Sequence, residues 1–160
     1  MEISLEAFEL IVRRAKLFDS SESHDTTNLH PFDQRNIHPK LPAKVRKLFD
    51  DGHCAEATFE AFKYVDKTIQ RVSKINESGY KLMMRAFNEN NPLIQLTDLK
   101  SASEIDEQKG YSFLFSGAVM AIRNPRGHDV DMSDDPDVCL DHLALASLLL
   151  RRLEQGGFSW

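Results

Sequence analysis

A long amphipathic repeat in the middle of the chain constrains the fold more than any other feature. Apolar residues recur every three or four positions across residues 53–75, over roughly six helical turns, with charged residues between them. The repeat consists of Ala55, Phe59, Phe62, Val65, Ile69, Val72 and Ile75. It predicts a core helix with one solvent-facing side, and such a helix must pack against other elements.

Helical spacing returns twice in the C-terminal half. One stripe consists of Tyr111, Leu114, Phe115, Ala118, Ala121 and Ile122. Ser103, followed by Asp106 three residues later, is typical of a capping box at the start of that helix. A second apolar stripe begins after Asp135, which is the predicted N-cap of its helix, and ends before Gly156. Because no strand-like alternation appears, the sequence predicts an all-α helical bundle.

The N-terminal region has a different character. Residues 4–18 carry the spacing of a short amphipathic helix, and residues 19–42 are rich in turn residues, so they predict a linker or irregular arm. We therefore expect an N-terminal helix and arm at 1–37 and a helical domain at 38–160. Acidic residues stand where a secretory signal would carry Lys or Arg, and no apolar run is long enough to cross a bilayer. The expectation is a cytoplasmic protein that does not bind membranes.

The net charge limits the kind of nucleic-acid contact that the protein can make, and the two cysteines indicate a reducing environment. The net charge is −5, which argues against a broad phosphate-binding surface, so any nucleic-acid contact must be local. The two cysteines, Cys54 and Cys139, lie far apart inside apolar helical patterns. They predict buried thiols in a reducing compartment rather than a disulfide.

The residues best suited to chemistry are the hexad Arg123-Asn124-Pro125-Arg126-Gly127-His128. Pro125 disfavours a helical conformation of the residue before it, so we expect the helix to end near Arg123 and to leave Arg126 and His128 on a turn. Arg123 could bind a phosphate and stabilise a charged transition state, and His128 could transfer a proton. The structural alternative is that Arg123 only complements the helix dipole.

The spacing of this arginine and histidine is not specific by itself. Ten arginines and six histidines predict about one chance match, and Arg46 with His53 also fits. Two other clusters contain residue types that bind metals. The first is His24, His30 and His38 with Asp25 and Asp33, and its spacing matches no ordered zinc site. The second is Asp131, Asp134, Asp135 and Asp137, which helix capping explains without a metal. We expect no metal and no cofactor.

Several separated segments, in order, resemble the HEPN superfamily, and more narrowly its small bacterial proteins related to abortive-infection domains. The segments are residues 50–57, 59–63, 106–110, 115–118, 122–128 and 143–152. The resemblance covers about residues 38–155. It implies a HEPN-like helical bundle that forms a two-fold homodimer, with the motif's arginine and histidine from both copies lining one cleft.

Active HEPN proteins are metal-independent endoribonucleases in toxin, antiphage and RNA-processing systems. The resemblance therefore implies RNA as substrate and an antitoxin or defence-system protein as partner. Arg123 and His128 match the two defining motif positions, and Asn124 matches the polar residue often found after the arginine. We assign Arg123, His128 and Asn124 to catalysis and Arg126 to substrate binding.

Three interpretations stay open. The first is a dimeric ribonuclease, and the second is a catalytically silent HEPN module that binds RNA, a nucleotide or a partner protein. In the third, the domain is structural, Arg123 caps its helix and His128 bonds to a backbone carbonyl. Exposure of Arg123 and His128 favours the first interpretation, and burial with internal partners favours the third.

Overall fold

The computed structural model describes residues 29–129 and 131–160, and the helix predicted for residues 4–18 lies outside them. Every regular element in the described residues is helical, which confirms the all-α class. These residues include no helix with the length and apolar character needed to span a membrane. The compact unit that carries the candidate site runs from Pro31 to Trp160.

A central helix organises this unit. The elements in chain order are α1 (Pro31–Gln34), α2 (Ala43–Asp50), α3 (Cys54–Ser73), α4 (Gly79–Ala86), α5 (Ala102–Ala118), a π-helical segment (Val119–Arg123), α6 (Asn124–His128) and α7 (Pro136–Gln155). The long predicted repeat is α3, which contacts α2, α4, the π-helical segment, α6 and α7. Because α3 contacts both the π-helical segment and α6, it positions the hexad relative to the rest of the domain.

The core is built from buried side chains of α2, α3, α4, α5 and α7 and of the loop before α5. Phe62, Val65 and Ile69 of α3 are fully or almost fully buried, as the repeat predicted. Phe87 and Phe115 stack with their ring centroids 4.3 Å apart. The other large, fully buried apolar residues are Leu82, Met83, Ile94, Leu143, Leu149, Leu150 and Leu153. Burial of this size is the main stabilising contribution to such a domain.

One buried polar residue joins the loop before α5 to that helix. Gln108 is fully buried, and its side chain accepts a hydrogen bond from Leu96 N (2.8 Å) and donates to Phe87 O and Ile94 O. All these partners belong to segments without regular structure. The carboxamide therefore replaces the backbone hydrogen bonds that a helix would have provided.

The helix caps are only partly as predicted. Asp135 caps α7, because its carboxylate accepts a hydrogen bond from Asp137 N at 2.8 Å. The capping box of α5 is formed by Ser101 with Glu104, so the prediction of Ser103 with Asp106 was wrong. Both pairs have the required spacing. The choice follows from the incoming loop, because Lys100 N also donates to the Glu104 carboxylate.

The last part of the predicted arm belongs to the packed body. Phe32, Ile37 and Leu41 are buried, although they stand singly among turn residues and show no helical or strand period. His38, interpreted from sequence as part of a solvated loop, is 3% exposed, and its Nε2 lies 3.1 Å from Glu154 Oε2. Burial lowers the pKa of His38, against the opposing effect of Glu154.

Candidate functional site

The hexad is helical, which corrects the prediction that it forms a turn. The helix continues from α5 through the π-helical segment into α6, and Pro125 lies in the first turn of α6. Asn124 N donates to Val119 O, a spacing of five residues rather than four. Because proline donates no backbone hydrogen bond, the ladder must change here. It changes by a wider turn instead of ending, an arrangement that is frequent at functional sites.

Arg126 is fully engaged inside the protein. Its Nε and Nη2 each lie 2.6 Å from one oxygen of Asp134, and its Nη1 donates to Ile122 O at 2.8 Å. The side chains of Arg126 and Asp134 are only 6% and 5% exposed. His142 completes the cluster, with Nδ1 3.4 Å from Arg126 Nη2. The sequence assigned Arg126 to substrate binding, but a neutralised, buried guanidinium is suited to holding the chain after α6, and we keep it out of the site.

Arg123 is in the opposite situation. Its residue is half-buried, and its guanidinium carbon lies 5.7 Å from the centre of the Phe59 ring. Nη1 makes a single 3.3 Å contact with Asn124 Oδ1. Nε is buried and has no hydrogen-bond partner within residues 29–129 and 131–160, and no carboxylate of those residues forms an ion pair with this side chain. A buried, unpaired donor on a charged group is costly, so a hydrogen bond from Arg123 to an anionic oxygen would be favourable.

Two glycines pack closely around Arg123 and the Phe59 ring beside it. A Cβ on Gly127 would lie 2.8 Å from Phe59 Cε2, so only glycine fits there without moving the ring. Gly79 has φ of +69°, and a Cβ there would lie 4.0 Å from Arg123 Nη1. The N–H of Gly79 donates to the buried carboxylate of Asp66 at 2.7 Å. Arg123 therefore lies against Phe59 and Gly79, and Gly127 packs on the ring of Phe59.

His128 ends α6 and is exposed. It makes no hydrogen bond or ion pair with any residue that the structure describes. Residues five apart on an α-helix project roughly 140° apart around its axis. Arg123 and His128 of one chain therefore point away from the helix in different directions. A site that uses both needs either the long reach of the arginine or a second copy of the chain.

The other sequence candidates have structural roles. Asp134 pairs with Arg126, and Asp135 caps α7. No group of three or more His, Cys, Asp or Glu in the described part of the chain could hold a metal ion. Cys54 and Cys139 are buried free thiols, and burial raises the pKa of Cys139 to about 12. Such a thiol stays protonated and is not a nucleophile.

Comparison with known proteins identifies the family. A family model described as a protein of unknown function (Hypoth_ymh) matches residues 35–153. The chain belongs to the Hypoth_Ymh family. The Hypoth_Ymh match includes the whole hexad and also Phe59, Gly79 and Asp134. Searches of curated proteins and of solved structures found no match.

Sequence reasoning missed several residues of the site in this Hypoth_Ymh member. Phe59 was identified only as a core residue, and Asp66, Gly79, Asp134 and His142 were not connected to the hexad. Gly127 alone carried a usable signal. A glycine inside the hexad, two residues after a proline, could have suggested a close approach of the backbone to a neighbouring side chain.

Proposed function

We propose that the chain is a metal-independent endoribonuclease of HEPN type. The supporting observation is the difference between two arginines of the hexad. Arg126 is neutralised by Asp134, whereas Arg123 has a buried, unpaired Nε and no carboxylate partner within the described residues. An unneutralised guanidinium on an acidic protein favours an anionic ligand, and phosphate matches its donor geometry.

The proposed reaction uses a nucleophile that RNA itself supplies. His128 removes the proton of a 2′-hydroxyl, whose oxygen attacks the adjacent phosphorus while the bond to the 5′-oxygen breaks. Water protonates that leaving oxygen, and the products are a 2′,3′-cyclic phosphate and a 5′-hydroxyl. Arg123 stabilises the extra negative charge on phosphorus, and Asn124 holds its Nη1. No metal or cofactor takes part.

We place the two-fold contact of a homodimer on the outer face of α5 and the π-helical segment. Phe113, Leu114 and Met120 are 56%, 47% and 52% exposed on this face. A Cβ on Gly117 would meet no atom within 4 Å, so the face has room for a second helix. Because the face leads directly into the hexad, a second copy would bring its own Arg123 and His128 near the first. Replacing Phe113 and Met120 by Ser should then give a monomer in analytical ultracentrifugation, and an unchanged dimer would contradict this surface.

From the resemblance alone, the setting that we propose is a toxin or antiphage effector controlled by an antitoxin or defence-system protein. The cleavage test does not depend on that setting. Purified protein is incubated with end-labelled single-stranded RNA in EDTA, and the ends of the products are identified. We expect 2′,3′-cyclic phosphate ends, and we expect His128→Ala to abolish the cleavage.

The chain offers a matched control for this test. The motif allows four to six residues between its arginine and histidine, so Arg46 and His53, with six, fit it as well as Arg123 and His128, with four. His53 is exposed, so His53→Ala should leave cleavage unchanged. Cleavage that survives His128→Ala, or that stops in EDTA, would contradict the mechanism.

A second candidate function is a silent module that binds RNA without cutting it. The observation that favours it is His128, which has no partner in the described residues to orient its ring. RNA binding that Arg123→Gln weakens, without any cleavage by the wild-type protein, would select this function.

A further inference from the structure

A line of cations on α3 starts beside the candidate site. Phe59, which lies against Arg123, is followed at steps of four residues by Lys63, Lys67 and Arg71, a line that winds about 40° around the helix at each step. Lys74 follows directly after the last residue of α3. Successive positions in the first part of this line are four residues apart, which is about 6 Å along the helix. The ammonium of Lys63 lies 5.8 Å from the centre of the Phe59 ring. We call Lys63, Lys67, Arg71 and Lys74 the α3 basic stripe.

The charges of the stripe are largely unneutralised. Arg71 and Lys74 form no ion pair within residues 29–129 and 131–160, and Lys67 donates only to the Gln70 carboxamide at 3.0 Å. Lys63 does have a carboxylate, Glu60, at 3.2 Å. That carboxylate is shared with Lys44, also at 3.2 Å, so two cations face one negative charge.

The stripe ends in a shallow cavity. Its volume is about 530 Å³, and it is lined by Lys67, Gln70, Arg71, Lys74, Ile75 and Asn76. The buried Ile75 contributes an apolar surface, and the remaining residues provide three cations and two carboxamides. This combination can hold phosphate oxygens and the polar edges of a base at the same time.

The helix dipole explains only part of this charge. Cations in the last turn of a helix complement about half a negative charge on its free carbonyls. The C-terminal end of α3 has three cations around that half charge, and the protein as a whole has a net charge of −5. A concentrated positive line on an acidic protein focuses its field on one path, which suits one flexible anionic strand better than a broad duplex.

We propose that the α3 basic stripe is a binding track for the backbone of single-stranded RNA. The strand runs from Arg123, past Phe59 and along the stripe, to the cavity at Ile75. This inference rests on the proposed ribonuclease function, because it assumes that RNA is the ligand of Arg123. It adds a second binding site about 20 Å from the hexad along α3.

The test measures binding separately from cleavage. The ligand is a 2′-O-methyl RNA of about twenty nucleotides, long enough to span both sites, which cannot be cut because its 2′-oxygen carries no proton. The variant is Lys67→Gln with Arg71→Gln and Lys74→Gln in the full chain. We expect its affinity to fall at least tenfold at about 50 mM salt, and the slope of log K against log salt to decrease by about 2.

A matched triple variant controls for net charge. Arg35→Gln, Lys47→Gln and Lys100→Gln remove three exposed cations that already have carboxylate partners. This control should bind within about threefold of wild type, because cations that are already paired neutralise few phosphates. Circular dichroism melts of both triple variants show that they remain folded.

The outcomes separate the track from the enzyme. The track is overturned if the stripe variant keeps wild-type affinity and salt slope, or if the two triple variants lose affinity equally. It is also overturned if the wild-type protein binds phosphatidylserine vesicles but not the RNA. Loss of binding in the stripe variant, together with no cleavage of ordinary RNA by the wild type, would support the track and reject the ribonuclease.

Discussion

Arg123 and Arg126 lie about one turn apart on the same continuous helix, but their surroundings differ completely. Arg126 faces Asp134 and Ile122 O, with every nitrogen of its guanidinium in contact with a protein acceptor or with His142. Arg123 faces an aromatic ring, one glycine and one carboxamide. An arginine whose charge is neutralised by a carboxylate stabilises the fold, whereas an arginine without such a partner is available to bind a ligand.

The largest effect should come from breaking the matched pair. In Asp134→Ala, Arg126 is left as a buried charge without a partner, so we expect the free energy of unfolding to fall by about 3–5 kcal/mol. Urea denaturation followed by circular dichroism measures it. Asp98→Ala removes an exposed carboxylate paired with Lys100 and should leave the free energy of unfolding close to that of wild type. Equal losses in the two variants would show that Arg126 is not held as we describe.

At Arg123, by contrast, removal of the charge should affect activity rather than stability. Arg123→Gln keeps much of the side-chain volume but removes the guanidinium, so RNA cleavage should slow by about 10²–10³-fold. The midpoint of urea denaturation should stay close to that of wild type, because no ion pair is lost. A variant that cleaves normally, or one that is strongly destabilised, would remove the contrast between the two arginines.

Close packing of Gly127 on Phe59 should give an effect of intermediate size. Gly127→Ala places a Cβ 2.8 Å from Phe59 Cε2, and the overpacking should cost about 1–3 kcal/mol of unfolding free energy. Gly110→Ala is the control, because a Cβ there meets no atom within 4 Å and alanine favours a helix by up to about 1 kcal/mol. Thermal denaturation of both variants measures the difference. A stable Gly127→Ala protein would mean that Phe59 can move away from the hexad.

The smallest effect concerns pH and belongs to the Arg126 side. Burial and then the charge of Arg126 lower the pKa of His142 from 6.5, against the carboxylates of Asp134 and Asp141. The folded protein therefore binds this proton less readily than the unfolded chain. The contribution of His142 to stability is complete above about pH 6.5 and is lost as the pH falls towards its lowered pKa.

His142→Asn should consequently reduce the loss of stability between about pH 7 and pH 5. Urea denaturation at several pH values, with His38 intact in both proteins, compares the slopes. Identical slopes in the variant and the wild type would contradict the assignment to His142.

The comparison also shows where sequence reasoning works. The apolar repeat of α3 and the Asp135 cap of α7 are confirmed, because both depend on contacts within a few residues of the chain. The predicted helix end at Arg123 was wrong. Proline disfavours a regular helix at this position. Packing of Gly127 of the hexad on Phe59 nevertheless keeps the segment helical. The helix adapts by one wider turn, in which Asn124 N donates to Val119 O.

Only some residues of the candidate site could be predicted from the sequence. Arg123, Asn124 and His128 could be selected by residue type and spacing, and their proposed catalytic roles stay predictions. Which arginine is free could not be predicted, because Asp134 comes eight residues after Arg126 and several other acids in the same segment were equally close in sequence.

The helical class, the long central helix and the position of the hexad could all be predicted from the amino-acid sequence, since periodicity and capping are local properties of the chain. The folded domain was needed to show which arginine is neutralised, that Phe59 and Gly127 are in contact, and that cations on α3 continue from the candidate site. Neutralisation and close packing depend on distances between segments that are far apart in the chain, and a local sequence pattern does not contain these distances.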